Sequence, residues 1–233
     1  MKGKGLISFW VPNGMEVAFT AHAIDVVVFD NQRTELPQVY CANVQDIVHE
    51  VLSTADRPLV AFISAANSFG FMDGGSDLGY MQCFENIQVA VQEGIRMLQK
   101  VTLLGRPFLH IGCSMAFEVV PGVYFVCAPT MFLPQKVVGT LNPLFAMQSA
   151  LALLSALHVQ RAYTPMMCCG WGGYTYRESF ELMKKASELD ATGRIVHMGK
   201  YSYHLLDTCE PIRDRQPKIY MNTEFGVQLA SEA

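Results

Sequence analysis

The chain has 233 residues, of which 51% are hydrophobic and 16% charged, with 17 Lys plus Arg against 21 Asp plus Glu and a net charge of −4. That apolar content supports a sizeable core and excludes disorder as the dominant state. The acidic balance argues against a protein that wraps long nucleic acid, which needs clustered basic side chains.

Met1–Gly5 lacks the apolar stretch and small-residue cleavage site of a secretory leader. Leu6–Trp10 and Met15–Thr20, separated by Pro12-Asn13-Gly14, predict an antiparallel hairpin. Val26–Phe29 is a short, β-branched apolar run and predicts a buried strand. Val44, Ile47, Val48 and Val51 share one face of a predicted helix, and Leu59–Ile63 predicts a second buried strand. After a glycine-rich loop, a helix is predicted from near Met81, with Phe84, Ile87, Val91, Ile95 and Leu98 inward.

Val123–Cys127 predicts a third strand, and Asn142-Pro143 predicts an N-cap opening a helix to Leu157. Val137 to Gln160 carries no Asp, Glu, Lys or Arg. Even so, the helix within it would be roughly 22 Å long against a hydrocarbon core of about 30 Å, so no membrane span is expected. A strand near 162–168 and a helix over Arg177–Leu189 follow. Strands alternating with helices imply an α/β domain around a mixed, largely parallel sheet. From about Asp190 the charges thicken, and 191–233 is expected to form a C-terminal extension packed on the domain of 1–190.

In such folds ligands settle where loops leave the C-terminal ends of the strands. The loop Ser64–Gly79 offers small residues at 64–66, then Asn67, and then Gly70, Gly74, Gly75, Ser76, Asp77 and Gly79 just ahead of a helix. Backbone N–H groups there can turn toward an anion. The plainer alternatives are a glycine-rich turn with Asp77 as a cap and Asn67 as a loop-bracing Asx turn. The loop Pro165–Ser179 interleaves Cys169, Gly170, Gly172 and Gly173 with Trp171, Tyr174 and Tyr176, a mixture suited to a phosphate flanked by a sugar or base. Neither standard nucleotide fingerprint is present.

These motifs resemble the macro domain, the ADP-ribose-binding α/β/α module. Ala65-Ala66-Asn67 with Gly74-Gly75-Ser76-Asp77 is similar to its first loop, Pro165–Thr175 to its second, and Val44-Gln-Asp-Ile47 to its G-D-I helix start. The resemblance covers about 15–190 and implies a three-layer α/β/α sandwich. It implies that Asp46 and Ile47 meet adenine, and that Asn67 and Tyr174 meet the distal ribose. The diphosphate would lie along Ala66, Gly74, Gly75, Ser76 and Cys169 to Gly173. Asp77, with Asn67, stands where resembling hydrolases position the attacking water on an ADP-ribosyl or ADP-ribose-1″-phosphate linkage. The sequence departs from the family at Ser64, where the family has Asn, at Met72 and Asp73 inside the glycine cluster, and at Met81, where hydrolytic members carry His.

The expected partner is therefore ADP-ribose or an ADP-ribosylated molecule. The alternatives are poly(ADP-ribose) or RNA ends, met by a patch of Arg161, Arg177, Lys184 and Lys185, or a non-catalytic scaffold with a degenerate cleft. The six histidines show no H-x-x-x-H or H-E-x-x-H pairing, so no metal or cofactor is expected, and His110 reads as a core residue. Seven cysteines without a C-x-x-C read as free thiols in a reducing, cytosol-like compartment, with a backbone role for Cys168 and Cys169.

Overall fold

The computed structural model describes residues 15–98, 102–103, 105–188, 220–223 and 226–229. In chain order these form β1 (Phe19–Ala21), β2 (Ile24–Asp30), β3 (Val39–Cys41), α1 (Val44–Leu52), β4 (Val60–Ser64), α2 (Gly75–Cys83) and α3 (Ile87–Leu98). A short antiparallel ladder of β5 (Thr102–Leu103) and β6 (Arg106–Pro107) precedes β7 (Met115–Val120) and β8 (Val123–Cys127). Then come α4 (Asn142–Ala156), β9 (Arg161–Pro165), α5 (Tyr176–Lys185) and a 3-10 turn at Ala186–Glu188. β10 (Tyr220–Thr223) and β11 (Gly226–Leu229) pair antiparallel with each other.

Seven strands make one sheet in the order β1-β2-β9-β4-β8-β7, with β3 also on β2. β2, β3, β9, β4 and β8 run parallel, while β1 and β7 are antiparallel to their neighbours. The sheet is mixed and largely parallel. Alternation along β2 explains its two covered faces. Ile24, Val26 and Val28 join a core with α4 and α5, while Val27 and Phe29 join one with α1, α2 and α3. Helices thus cover both sides, giving the α/β/α sandwich. Every residue of β4 and β9 is buried, as central strands under two helical layers are, including the polar Ser64, Arg161 and Thr164.

Several local expectations change. The helix expected from Met81 begins at Gly75, stops at Phe84 in extended conformation, and resumes at Ile87 after Asn86 at φ +57. Asn86 is a residue type that takes the left-handed region readily, so the chain can break there while Phe84 and Ile87 stay inward. Leu98, expected inside, is exposed. Asn142 does not cap α4; it lies inside the helix, and its Nδ2 donates to Thr130 O at 2.8 Å. His110, expected in the core, is exposed beside the Phe108 ring, because the run around it is turn rather than strand. Of the N-terminal hairpin, Leu6–Trp10 lies outside the described residues; β1 pairs with β2 instead. Leu189 and most of 191–233 lie outside them as well. Among the described residues no helix is long and apolar enough to cross a membrane.

Candidate functional site

Because β2, β9, β4 and β8 are parallel neighbours, the segments leaving them emerge along one edge of the sheet. The segment after β4 is built around Asn67. Its Oδ1 accepts from the N–H groups of Phe69 (3.1 Å) and Phe71 (3.2 Å), and its Nδ2 donates to Phe71 O (2.7 Å). The side chain therefore braces its own loop, leaving one amide N–H for anything else. Met72, which interrupts the glycine cluster, is buried in the core and anchors the loop from below.

The loop ends where α2 begins. Gly74 is extended at φ −158 and Gly75 is left-handed at φ +58, and no atom lies within 4 Å of a Cβ placed on either. The first N–H paired along α2 is that of Leu78, to Gly74 O. Among the described residues no acceptor meets the N–H groups of Gly75, Ser76 and Asp77. Three donors thus converge at the positive end of a helix, open to solvent on the glycine side. Gly79 serves packing instead: a Cβ there would stand 2.7 Å from Val44 Cβ, where α2 crosses α1.

Asp77 turns inward from this helix start. The Ser64 hydroxyl donates to its Oδ1 at 2.5 Å, and both residues are buried. Burial, opposed by the Ser64 bond and reinforced by Asp73, pushes the Asp77 carboxyl up to about 6. Tyr80, whose hydroxyl donates to Ile63 O, and Cys127 are each pushed upward by burial first and by the Asp77 charge second.

The segment after β9 is tighter. Cys168 is left-handed at φ +61, and Gly172 lies so close that a Cβ on it would meet Cys168 O at 2.4 Å. Gly173 N–H closes a turn onto Gly170 O and Tyr174 N–H onto Cys168 O. The N–H groups of Gly170, Trp171 and Gly172 meet no acceptor among the described residues, and the space over Gly170 is open. Trp171 is 69% exposed at the lip. Tyr174 is buried with its hydroxyl on Thr140 O, so it plugs the loop from beneath. Thr175 and Glu178 form a reciprocal capping box that starts α5. Burial drives the Cys168 thiol up to about 11 and Cys169 up to about 12, which keeps both protonated and poor nucleophiles.

A third segment joins the other two, and sequence reading missed it. Leaving β8, residues 128–131 continue the pairing beside 64–68, with Ala66 N–H on Ala128 O, Thr130 N–H on Ala66 O and Ser68 N–H on Met131 O. Farther on, Val137 N–H donates to Gly172 O at 3.0 Å. One strand of chain thereby stitches both loops together. It carries Lys136, whose stem lies against Gly173. A signal was available: Lys136 is the lone Lys, Arg, Asp or Glu between Glu118 and Arg161.

At the β2 end, Asp46 is exposed in the first turn of α1, accepting from Asn43 Nδ2 at 3.3 Å, while Ile47 is buried beneath it. Asp30, at the end of β2, also belongs to this edge and was not singled out. It accepts from Gln32 N–H and from the Tyr176 hydroxyl, and burial raises its carboxyl. The basic patch does not assemble as expected: Arg161 is buried at the start of β9 with Asp25 at 3.4 Å, apart from Arg177, Lys184 and Lys185 on α5. Among the described residues no cluster of His, Cys, Asp and Glu could hold a metal, and the six described cysteines are free.

No family model matches the chain, and no curated protein does. Its neighbours among solved structures include several macrodomains. The macrodomain of Mycobacterium tuberculosis DarG is 15% identical over 56% of this chain and 82% of its own, with TM-score 0.46. That of Thermus aquaticus DarG is 18% identical over 58% of this chain and 87% of its own, with TM-score 0.47. A mutant Oceanobacillus iheyensis macrodomain with ADPR is 12% identical over 84% of this chain and 98% of its own, with TM-score 0.49. These are distant likenesses, and what the cleft binds must follow from its own residues.

Proposed function

We propose that the chain binds ADP-ribose or a close derivative, with the diphosphate between the segments that follow β4 and β9. The observation that carries this reading is the pair of unsatisfied N–H rows, Gly75–Asp77 and Gly170–Gly172, at the same edge of two adjacent parallel strands. An anion that fills the open space over Gly74, Gly75 and Gly170 would satisfy both rows. Each charge-assisted bond contributes about 1.5–3 kcal/mol net, enough for a handful to hold a diphosphate. In this reading Asp46, with Ile47 beside it, accepts from an exocyclic amine, and the remaining N–H of Asn67 meets a ribose hydroxyl.

Isothermal titration with ADP-ribose against wild type and Gly74→Glu tests it. Gly74 is extended and unhindered, so the glutamate fits the fold while projecting a carboxylate toward the anion site. Affinity should fall at least about fiftyfold with unchanged thermal stability, given repulsion between like charges in a partly desolvated cleft. No heat with wild type, or equal affinity in the variant, sinks the reading. A steep salt dependence in wild type would point instead to a polyanion such as poly(ADP-ribose).

A second reading, hydrolysis of an ADP-ribosyl or ADP-ribose-1″-phosphate linkage, draws on Asp77. Its carboxyl, raised to about 6, lies in the range useful to a general base at neutral pH. Against this stands its engagement with Ser64 inside the protein. Turnover of mono-ADP-ribosylated protein and of ADP-ribose-1″-phosphate by wild type, lost in Asp77→Ala, would establish it; no product from wild type leaves a reader.

A further inference from the structure

We infer that Lys136 supplies the positive charge that balances the diphosphate, an inference that rests on the ADP-ribose reading. In the stretch from β8 through α4 Lys136 is the one Lys, Arg, Asp or Glu, so it belongs to no amphipathic charged face. Its stem is laid on the loop after β9. Lys136 Cδ and Nζ stand 2.8 Å and 3.0 Å from the point a Gly173 Cβ would occupy, and Gly173 itself is left-handed at φ +77. The main chain on either side is fixed to the same loop, by Val137 N–H on Gly172 O and by the Tyr174 hydroxyl on Thr140 O. The exposed ammonium thus lies against Gly173, the residue that follows the unsatisfied N–H row of Gly170 to Gly172.

It is also unspent. Among the described residues no carboxylate pairs with Lys136; the ion pair found there is Arg161 with Asp25. Charge bookkeeping says why the site needs it. A helix start offers the equivalent of roughly half a charge, and a diphosphate carries about two negative charges. The same sheet edge also bears the carboxyls of Asp30, Asp46, Asp73 and Asp77, all of which oppose an anion. Backbone donors fix the geometry of a diphosphate but offset this repulsion only in part. An ammonium, a compact point charge with three donors, offsets it without demanding a planar bidentate partner.

The test is titration of ADP-ribose into the full chain carrying Lys136→Met or Lys136→Arg, at low and at physiological salt. The lysine is exposed, so methionine keeps its stem over Gly173 and thermal stability should not move. Lys136→Met should bind ADP-ribose about tenfold more weakly and with a shallower salt dependence, while Lys136→Arg should retain most of the affinity. If wild type binds and Lys136→Met binds within about twofold of it, or Lys136→Arg is as weak as Lys136→Met, Lys136 is not the counter-charge and the ADP-ribose reading survives alone. If wild type does not bind ADP-ribose at all, that reading fails and this one with it.

Discussion

The Ser64 hydroxyl at the end of β4 and the Asp77 carboxylate in the first turn of α2 form a buried 2.5 Å hydrogen bond. Where the macro-domain pattern has an asparagine, this chain has a serine that reaches across the glycine-rich loop and pins its far end. The bond sets where α2 starts, and so where its free N–H groups point.

The carboxylate of Asp77 gives stability a pH dependence of unusual sign. Its folded value of about 6 lies above the ordinary 3.8, so between those values the folded chain holds a proton the unfolded chain has lost. Stability is full below about pH 4 and falls as pH rises to about 6, by about 3 kcal/mol in all. Asp77→Asn keeps an acceptor for Ser64 and removes the titration. In denaturant unfolding, the variant should lack this fall and exceed wild type at neutral pH. Parallel stability profiles for the two proteins would show that Asp77 is not buried as described.

Asn67 holds its loop through both ends of its amide. Asn67→Ala strands the N–H groups of Phe69 and Phe71 and should cost about 2 kcal/mol, with ADP-ribose affinity lost alongside. Asn67→Asp keeps the acceptor and should cost less. If urea unfolding ranks the two variants the other way, the bracing role is wrong.

Two glycines of the loop after β9 should respond oppositely to one methyl group. Gly172→Ala drives a Cβ into Cys168 O, a backbone atom that cannot step aside, and should destabilise by about 1–3 kcal/mol while disturbing ligand binding. Gly170→Ala meets nothing within 4 Å and should leave the melting temperature unchanged. Calorimetry on the pair decides, and equal melting temperatures would contradict the close approach.

Asp46 is exposed, so Asp46→Ala should not alter stability. It should weaken ADP-ribose about tenfold and leave the inosine analogue, whose 6-oxo group cannot donate, unaffected. A charge-assisted bond of about 1.5 kcal/mol sets that scale. Equal weakening for both ligands would remove Asp46 from base recognition.

The sandwich was legible because strand and helix periods are local: alternation in β2 and unbroken burial in β4 and β9 are written in consecutive residues. Both glycine-rich loops were legible for the same reason. The break between α2 and α3 was not, because Phe84 and Ile87 keep helical spacing across it and the break lies in one backbone angle at Asn86. Gly79 has the look of a loop glycine, yet its role depends on Val44, thirty-five positions away. Lys136 was missed on similar grounds, since only the fold brings it to Gly173.

The stitch between the two loops leads, through a short exposed turn at 138–140, into α4, whose Met147, Ala150, Leu151 and Leu154 are fully buried. The cleft rim is therefore tied by main-chain bonds to a deeply buried helix, and is expected to share its cooperativity. The amide of Val137 should exchange its proton on the timescale of global opening, far more slowly than its place in a connecting segment suggests. A rim that opens only with the whole molecule would meet its ligand already shaped, and docking would cost little conformational entropy.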